Sequence, residues 1–504
     1  MPDRVRIRLE PLGETIECER GAALEDILFE RGLEFPCGGL GRCRGCRIRV
    51  LEGNLLPSPD DRAILSAREI AAGFRLACRA RADGDLVLDV GEWEAAILSD
   101  DEAFSFEPFS GLGAAVDLGT TTIVAQLLDL SNGRVLGVRT ALNPQARHGA
   151  DVMSRIQFAL ARDGRTALEN LVRRDIGSMI ESLLAGAAVP GTPLHRIAIV
   201  GNSAMRHFFC GIDPSALSRA PFEPASPGPD RFLPADLAWD LPPRCEIHFL
   251  PDLGGFVGSD VLAGIFATRL HESAAPAALA DLGTNGEVVI GDRTGLLCAS
   301  AAAGPAFEGA RISMGMRAAT GAIHRIAVTA GRIESDVLGG GPPRGICGSG
   351  LVDAAAAGLD LGILRPDGRF ADSRTAWTVV PPVEITQLDV RELQLAKGAI
   401  AAGLRILLDR RGWTPSTLAR VHLAGAFGNA VSPASAVRIG LLPCDEQRIR
   451  PAGNAALRGA KMALFRPDLL ADGFRTLRKI VRHVALADDP SFLDAFAESM
   501  RFPG

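Results

Sequence analysis

The sequence predicts a multidomain protein in which a small α+β unit precedes a larger α/β body, and three observations carry that expectation. Cys37, Cys43 and Cys46 crowd into one loop and are answered downstream by Cys78. The tetrapeptide D-L-G-T occurs twice, at Asp117 and again at Asp281, each time where one apolar strand-like run turns into another. A third glycine-bearing turn, Gly425, Ala426, Phe427 and Gly428, follows a further short apolar run. At 504 residues the chain exceeds the ~100–200 residues of one domain and has room for two to four.

The N-terminal unit reads as two strands, a helix, a loop and two more strands. Residues 5–9 alternate apolar and basic side chains, a turn falls at Gly13-Glu14, and a second strand runs through Ile16. Leu24, Ile27 and Leu28 keep helical spacing up to Gly32. The loop F35-P-C-G-G-L-G-R-C-R-G-C46 follows, then alternating runs at 46–52 and 85–90. Cysteines grouped three plus one, here C-x5-C-x2-C and a distant fourth, are the ligand set of a [2Fe–2S] centre; the plant-type pattern differs in the first gap alone. Gly38, Gly39, Gly41 and Gly45 leave room for backbone N–H groups to approach cluster sulfurs. Core cysteines would not gather in a loop this poor in apolar residues. The element order resembles the ferredoxin-like β-grasp fold, expected over residues 1–92, with an acidic linker at 93–112 that has room for one helical turn.

Composition removes several function classes. The net charge of −6 offers no basic field for nucleic acid. No run of about 18 apolar residues and no charged-then-apolar leader is present, so neither a membrane partner nor secretion is expected, and the cytoplasm is the expected compartment. The remaining six cysteines are scattered singly, as suits reduced thiols. Only Lys397, Lys461 and Lys479 among the 54 basic residues are lysine, so single arginines carry little weight.

The α/β body is expected to begin at 113. A-V-D-L-G-T-T-T presents Asp117, Gly119, Thr120, Thr121 and Thr122 at a hairpin tip: N–H and hydroxyl donors for phosphate oxygens and a carboxylate for hydrated Mg²⁺. A-D-L-G-T-N-G repeats the device with Asp281, Gly283, Thr284, Asn285 and Gly286. Two such hairpins plus the Gly425 turn resemble the ATPase superfamily of acetate and sugar kinases, heat-shock chaperones and actin, with RNase H-like lobes. That resemblance implies that two tips clamp ATP and Mg²⁺ while the later turn packs on adenosine, and that the small-residue helix 454–464 connects the lobes. The lobes are expected at 113–205, as a middle domain, and 206–504.

A ferredoxin-like domain ahead of this ATPase resembles the reductive activators of corrinoid proteins. The matching stretches include A141-L-N-P-Q-A-R-H-G-A-D-V-M-S-R155, V200-G-N-S-A-M205, G255-F-V-G-S-D260, A303-G-P-A-F-E-G-A310, G345-I-C-G-S-G350 and H-L-A-G-A-F-G-N429. The resemblance implies an ATP-dependent electron transfer that returns cob(II)alamin to cob(I)alamin, with a corrinoid protein of a methyltransferase system as partner. It also implies a reductase or ferredoxin as electron donor, and is compatible with a homodimer. It leaves open whether Asp117 and Asp281 form the ATP clamp, or Asp281 with the turn at Gly348.

Two rival readings differ in class. A small-molecule kinase with an accessory cluster would need a carboxylate facing the γ-phosphate, for which Asp260 and Glu308 are candidates. A pure electron-transfer module would need no intact hairpins, and both are present. Asn143, Gln145, His148 and Asp151 are read as capping a helix that starts near Asp151, with Met153, Ile156 and Phe158 on its apolar side. Phe209, Phe222 and Phe249 are read as core. Arg42, Arg44, Arg47, Arg49, Arg75, Arg79 and Arg81 are weighed evenly between a basic rim that steers an acidic redox partner and a composition effect, with Glu34, Glu52 or Asp85 as pairing residues.

Overall fold

Alternation at the N-terminus gives a five-stranded mixed sheet. Arg4–Glu10 pairs antiparallel with Glu14–Glu19 and parallel with Leu86–Asp89, and the sheet continues through Arg47–Glu52 to Phe74–Leu76. Val5, Ile7 and Leu9 face inward with Leu24, Leu28 and Ile48, while the arginines between them face out. The helix spans Leu24–Phe29, because Ala22–Ala23 is taken up by pairing with Arg81–Ala82. The computed structural model describes residues 4–10, 13–29, 41, 46–90, 104–149, 151–187, 189, 191–220, 222–225, 228–309, 311–428 and 430–504. Cys37, Cys43, Arg42, Arg44, Asn429 and most of the expected linker lie outside them. The linker's described part, 104–111, contains no helix and lays Phe104 and Phe106 against Phe465.

The body is one topology used twice. In the first lobe the meander Leu112–Leu118, Thr122–Asp129 and Val135–Leu142 is antiparallel, and Leu194–Gly201 and Glu246–Phe249 extend it in parallel. In the second lobe Ala277–Leu282, Gly286–Asp292 and Gly295–Ala301 form the meander, extended in parallel by Arg420–Ala424 and Ile449–Gly453. Both central strands are buried on two faces, which explains their near-continuous apolar sequences. Because Asp230–Phe232 and Glu246–Phe249 belong to the first sheet, a lobe boundary at 205 would cut it; on sheet continuity we propose a boundary near 250.

Two helices cross between the lobes, Ser259–Thr268 and Ala455–Leu464, the second capped by Asn454. Small residues allow this close crossing: a Cβ on Gly459 would stand 2.1 Å from the carbonyl oxygen of Ala263. Alanine at 459 would gain roughly 1 kcal/mol in helix propensity but must push backbone apart, an overpacking cost of about 1–3 kcal/mol. Gly459→Ala is therefore expected to lower the thermal midpoint by several degrees; a midpoint at or above wild type in a melting experiment would show that the helices can slide.

The segment after the first meander ties the iron–sulfur unit to the first lobe. Asn143 donates its backbone N–H to Thr121 O (2.8 Å) and its amide Nδ2 to Gly119 O (2.9 Å), so it braces the first hairpin tip. Three residues on, Ala146 is buried in the hydrophobic core of the N-terminal domain, with Leu142 packed against it. From the second lobe, Arg344 makes a separate ion pair to Asp89 at 3.1 Å. Asp151 caps the helix Val152–Ala159 as expected, with a capping box to Ser154. Ile156 is buried and Phe158 stacks on His148, but Met153 is 47% exposed and lies on the outer face, roughly 100° round the helix from the buried Val152. Phe209 and Phe249 are core, whereas Phe222 is half-buried against Phe256 in a loop.

Candidate functional site: two facing hairpin tips and a cysteine pair

The two D-L-G-T tips face each other. Asp117 and Asp281 end the central strands of their lobes, and each tip closes through its glycine: Gly119 N–H donates to Thr122 O and Gly283 N–H to Asn285 O, both at 3.0 Å. Thr121 Oγ1 and Thr284 Oγ1 stand 3.4 Å apart across the cleft. Thr120 accepts a hydrogen bond from Asn202 Nδ2 at 2.9 Å, so the helix cap directly after the strand Leu194–Gly201 supports the first tip. Gly286 has no space for a side chain, since a Cβ there would meet Ile400 at 2.3 Å. The third turn backs directly on the second tip: a Cβ on Gly425, whose φ is +89°, would lie 2.5 Å from Asp281 Oδ1. Gly428 follows in the same short helical turn, and the side chains of Ala426 and Phe427 lie outside the described residues. Gly348 opens the helix Gly348–Asp360 instead, buried beside the strand Ala322–Thr329 and behind the turn of Glu308.

Between the tips sits a group of carboxylates. Asn454 Nδ2 donates to Asp117 Oδ2 at 2.8 Å, partly opposing the burial that lifts this carboxyl to about 6. Asp281 is pushed up to about 7, by burial first and by the charge of Asp117 second. Asp260, in the first turn of the first crossing helix, and Glu287, directly across the hairpin from Asp281, are raised well above the usual range by burial and by the neighbouring carboxylates. Such a set is short of positive charge. Among the described residues no three His, Cys, Asp or Glu side chains converge to grip a bare metal ion; a cation that keeps its waters suits the arrangement better. The residues fit hydrated Mg²⁺ on a triphosphate. Glu287 was not singled out from the sequence, although a glutamate in the otherwise apolar run G-E-V-V-I was a usable signal; Asn454 was hidden because a helix cap gives the same residue.

Of the four expected cluster ligands, Cys46 and Cys78 lie within the described residues. Their sulfurs are 3.3 Å apart and nearly buried, 1% and 9% exposed. Cys46 directly precedes the strand Arg47–Glu52, and Cys78 sits in a 3₁₀ turn held by Ala77 N–H to Cys46 O at 3.0 Å. Two thiols this close without a disulfide fit a shared iron. The nearby arginines are committed locally. Arg47 pairs with Glu69 (2.9 Å) over Phe74, and Arg79 pairs with Asp60 (2.8 Å). Arg49, Arg75 and Arg81 donate to backbone carbonyls. The expected partner Asp85 is bound to Arg6 instead. Arg47 and Arg79 thus have their charge met by a carboxylate, whereas the carbonyl bonds of Arg49, Arg75 and Arg81 leave those charges in place.

An N-terminal cysteine-cluster domain joined to a two-lobed body with facing D-L-G-T tips defines an iron–sulfur protein fused to an ATPase. Comparison with known families agrees along the chain: the 2Fe-2S iron-sulfur cluster binding domain matches residues 7–83, the RACo middle region 112–273, and the C-terminal domain of RACo, the ASKHA domain, 276–504. The chain belongs to the reductive activators of corrinoid proteins. It is 29% identical to the corrinoid activation enzyme RamQ of Eubacterium limosum over 99% of both chains. It is also 29% identical to the [Co(II) methylated amine-specific corrinoid protein] reductase of Methanosarcina barkeri over 75% of each. The solved structure of a reductive activator for corrinoid, iron-sulfur protein superposes with a TM-score of 0.70, at 25% identity, covering 99% of this chain and 98% of that one.

Proposed function

We propose that this protein uses ATP to pass one electron to a corrinoid protein, returning inactive cob(II)alamin to the cob(I) state needed for methyl transfer. The observation that carries the reading is the joining of the Cys46–Cys78 pair and the facing tips of Asp117 and Asp281 through one braced segment at 142–149. A [2Fe–2S] cluster, when bound, supplies a one-electron carrier, with Cys37, Cys43, Cys46 and Cys78 as its ligands. Reduction of cob(II)alamin is uphill from the roughly −400 mV of a plant-type centre, and each ~59 mV of gap costs about 1.4 kcal/mol. A cluster domain alone would deliver the electron poorly, so the nucleotide must change the state of the complex.

The tips of Asp117 and Asp281 form the ATP clamp in this reading. Thr120 to Thr122 and Thr284 to Gly286 offer donors to phosphate oxygens, Asp117 and Asp281 hold the waters of Mg²⁺, and Gly425 to Gly428 receive the adenosine side. Asn143 relays the position of the first tip to Ala146 and so to the cluster domain. The partners are a corrinoid methyltransferase protein and a low-potential reductase or ferredoxin, and a homodimer is compatible with the reading. No helix among the described residues is long and apolar enough to cross a membrane; with scattered single cysteines, the cytoplasm is the compartment we propose.

The test is direct. Protein reconstituted with iron and sulfide is mixed with a low-potential reductant, ATP and candidate corrinoid proteins, and the cob(II) to cob(I) absorbance change is followed. Formation of cob(I) only with ATP and one corrinoid protein is expected. Phosphorylation of a small metabolite with no cob(I) would replace this reading with the kinase.

A further inference from the structure

Glu308 reaches the cleft from a rigid turn and touches both tips at once. Its Oε1 accepts from Thr284 Oγ1 at 2.5 Å and from Thr121 Oγ1 at 3.4 Å, so one carboxylate oxygen spans the two lobes. The turn Pro305–Glu308 is set by its surroundings. Gly304 and Gly309 flank it at φ of +75° and +79°, Phe307 is 3% exposed in the second-lobe core, and a Cβ on Gly309 would strike the backbone of Met316 at 2.7 Å. A side chain held this firmly in a phosphate cleft is placed, not left over.

Beside the brace of the first tip, sharing the sulfur of Met205 with Asn143 Nδ2, lies a cation that makes no ion pair among the described residues. Arg155 is 0% exposed; its Nε donates to Gly149 O at 2.8 Å, one terminal nitrogen meets only the sulfur of Met205 at 3.9 Å, and the other has no partner. Two carboxylates act on its charge, Asp151 first and Glu308 second. The other cleft carboxylates differ in this respect. Asp260 and Glu287 face Asp281 and repel it, and Asp117 is tied to Asn454. Among the described residues, Glu308 is the cleft carboxylate that takes hydroxyl donors from both tips.

We propose that Glu308 is the general base of ATP hydrolysis and that the charge of the buried Arg155, beside the brace of the first tip, acts on it. This rests on the ATPase reading above. The two threonine hydroxyls that now occupy Glu308 are the donors a triphosphate would use, and their release to phosphate frees the carboxylate for a water molecule. The water gives a proton to Glu308 as its oxygen bonds to the γ-phosphorus. The bond from that phosphorus to the β-bridging oxygen breaks with its electron pair leaving on ADP, and Glu308 then returns the proton to product phosphate or solvent. Burial raises Glu308, opposed by the two threonine hydrogen bonds and by Arg155, so loss of the Arg155 charge moves its titration upward.

The experiment compares ATP affinity by calorimetry with ATP turnover in the holoprotein and its Glu308→Gln and Arg155→Met variants. Glu308→Gln is expected to bind ATP within about threefold of wild type or more tightly, and to lose roughly 10²–10⁴-fold in turnover. Arg155→Met is expected to move the acid limb of the turnover–pH profile to higher pH, while Arg155→Lys leaves the limb in place. Turnover within tenfold of wild type in Glu308→Gln overturns the base assignment. An unmoved acid limb in Arg155→Met, in protein whose melting point and cluster spectrum match wild type, overturns the role of Arg155. Should Arg155→Met not fold, the Arg155→Lys profile decides: a shifted limb there overturns the charge argument. Absence of ATP binding by wild type overturns the ATPase reading itself, a result distinct from the others.

Discussion

Alanine at Asp281 should remove ATP hydrolysis and leave the iron–sulfur spectrum untouched. The loss expected is at least the roughly 10²–10³-fold seen when one preorganised electrostatic group is deleted from an active site, because the carboxylate stands at the end of a rigid central strand where the waters of Mg²⁺ would be held. Stability should move the other way. Asp281 is half-buried, raised to about 7 by desolvation first and by the charge of Asp117 second, with Asp260 and Glu287 close behind. Removing one charge from a set without cations relieves that repulsion, so the nucleotide-free variant should melt no lower than wild type. Added Mg-ATP should raise the melting point of wild type and not of the variant. Unchanged turnover in Asp281→Ala would show the hairpin to be structural.

Replacing Cys78 with alanine should abolish the visible spectrum and bound iron, and with them cob(I) formation. Cys78 sits 3.3 Å from Cys46 in a buried turn, and three thiolates cannot complete the coordination of two irons. The same result is expected for Cys43→Ala. Cys210→Ala is the control: that thiol ends a helix in the first lobe, far in the topology from the cluster domain, and burial pushes it well above its ordinary value. Its variant should keep full absorbance. ATP affinity should survive in Cys78→Ala, measured by calorimetry, since the tips belong to the other domains. A full spectrum in Cys78→Ala would overturn the ligand assignment.

Much of the molecule was legible because its signals are local. Alternation at 4–10 and 86–89, the glycine-rich cysteine loop and the repeated D-L-G-T each report on a few adjacent residues whose geometry demands them. What escaped depended on contacts between distant stretches. Asp230–Phe232 reads as loop until the sheet edge it completes is present, which is why a boundary at 205 looked natural. Arg79 finds Asp60, a partner the sequence reading did not name, because two short helices fold back between the strands. Ala146 carries no sequence mark of an interdomain contact at all. The choice between Gly348 and Asp117 as partner of Asp281 is a question of which turns face each other, and only the three-dimensional arrangement puts Thr121 opposite Thr284.

The brace at 142–149 has a practical consequence for anyone who divides this protein into parts. Asn143 holds Thr121 and Gly119 from one side, and Ala146 is sealed by the cluster domain on the other. A truncation at residue 90, made to isolate the ATPase, would strip the cover from Ala146 and Leu142 and slacken the loop on which the first phosphate tip leans. Such a fragment would be a lesion in nucleotide handling disguised as a clean excision. Whatever rate it gave would describe the cut and not the motor.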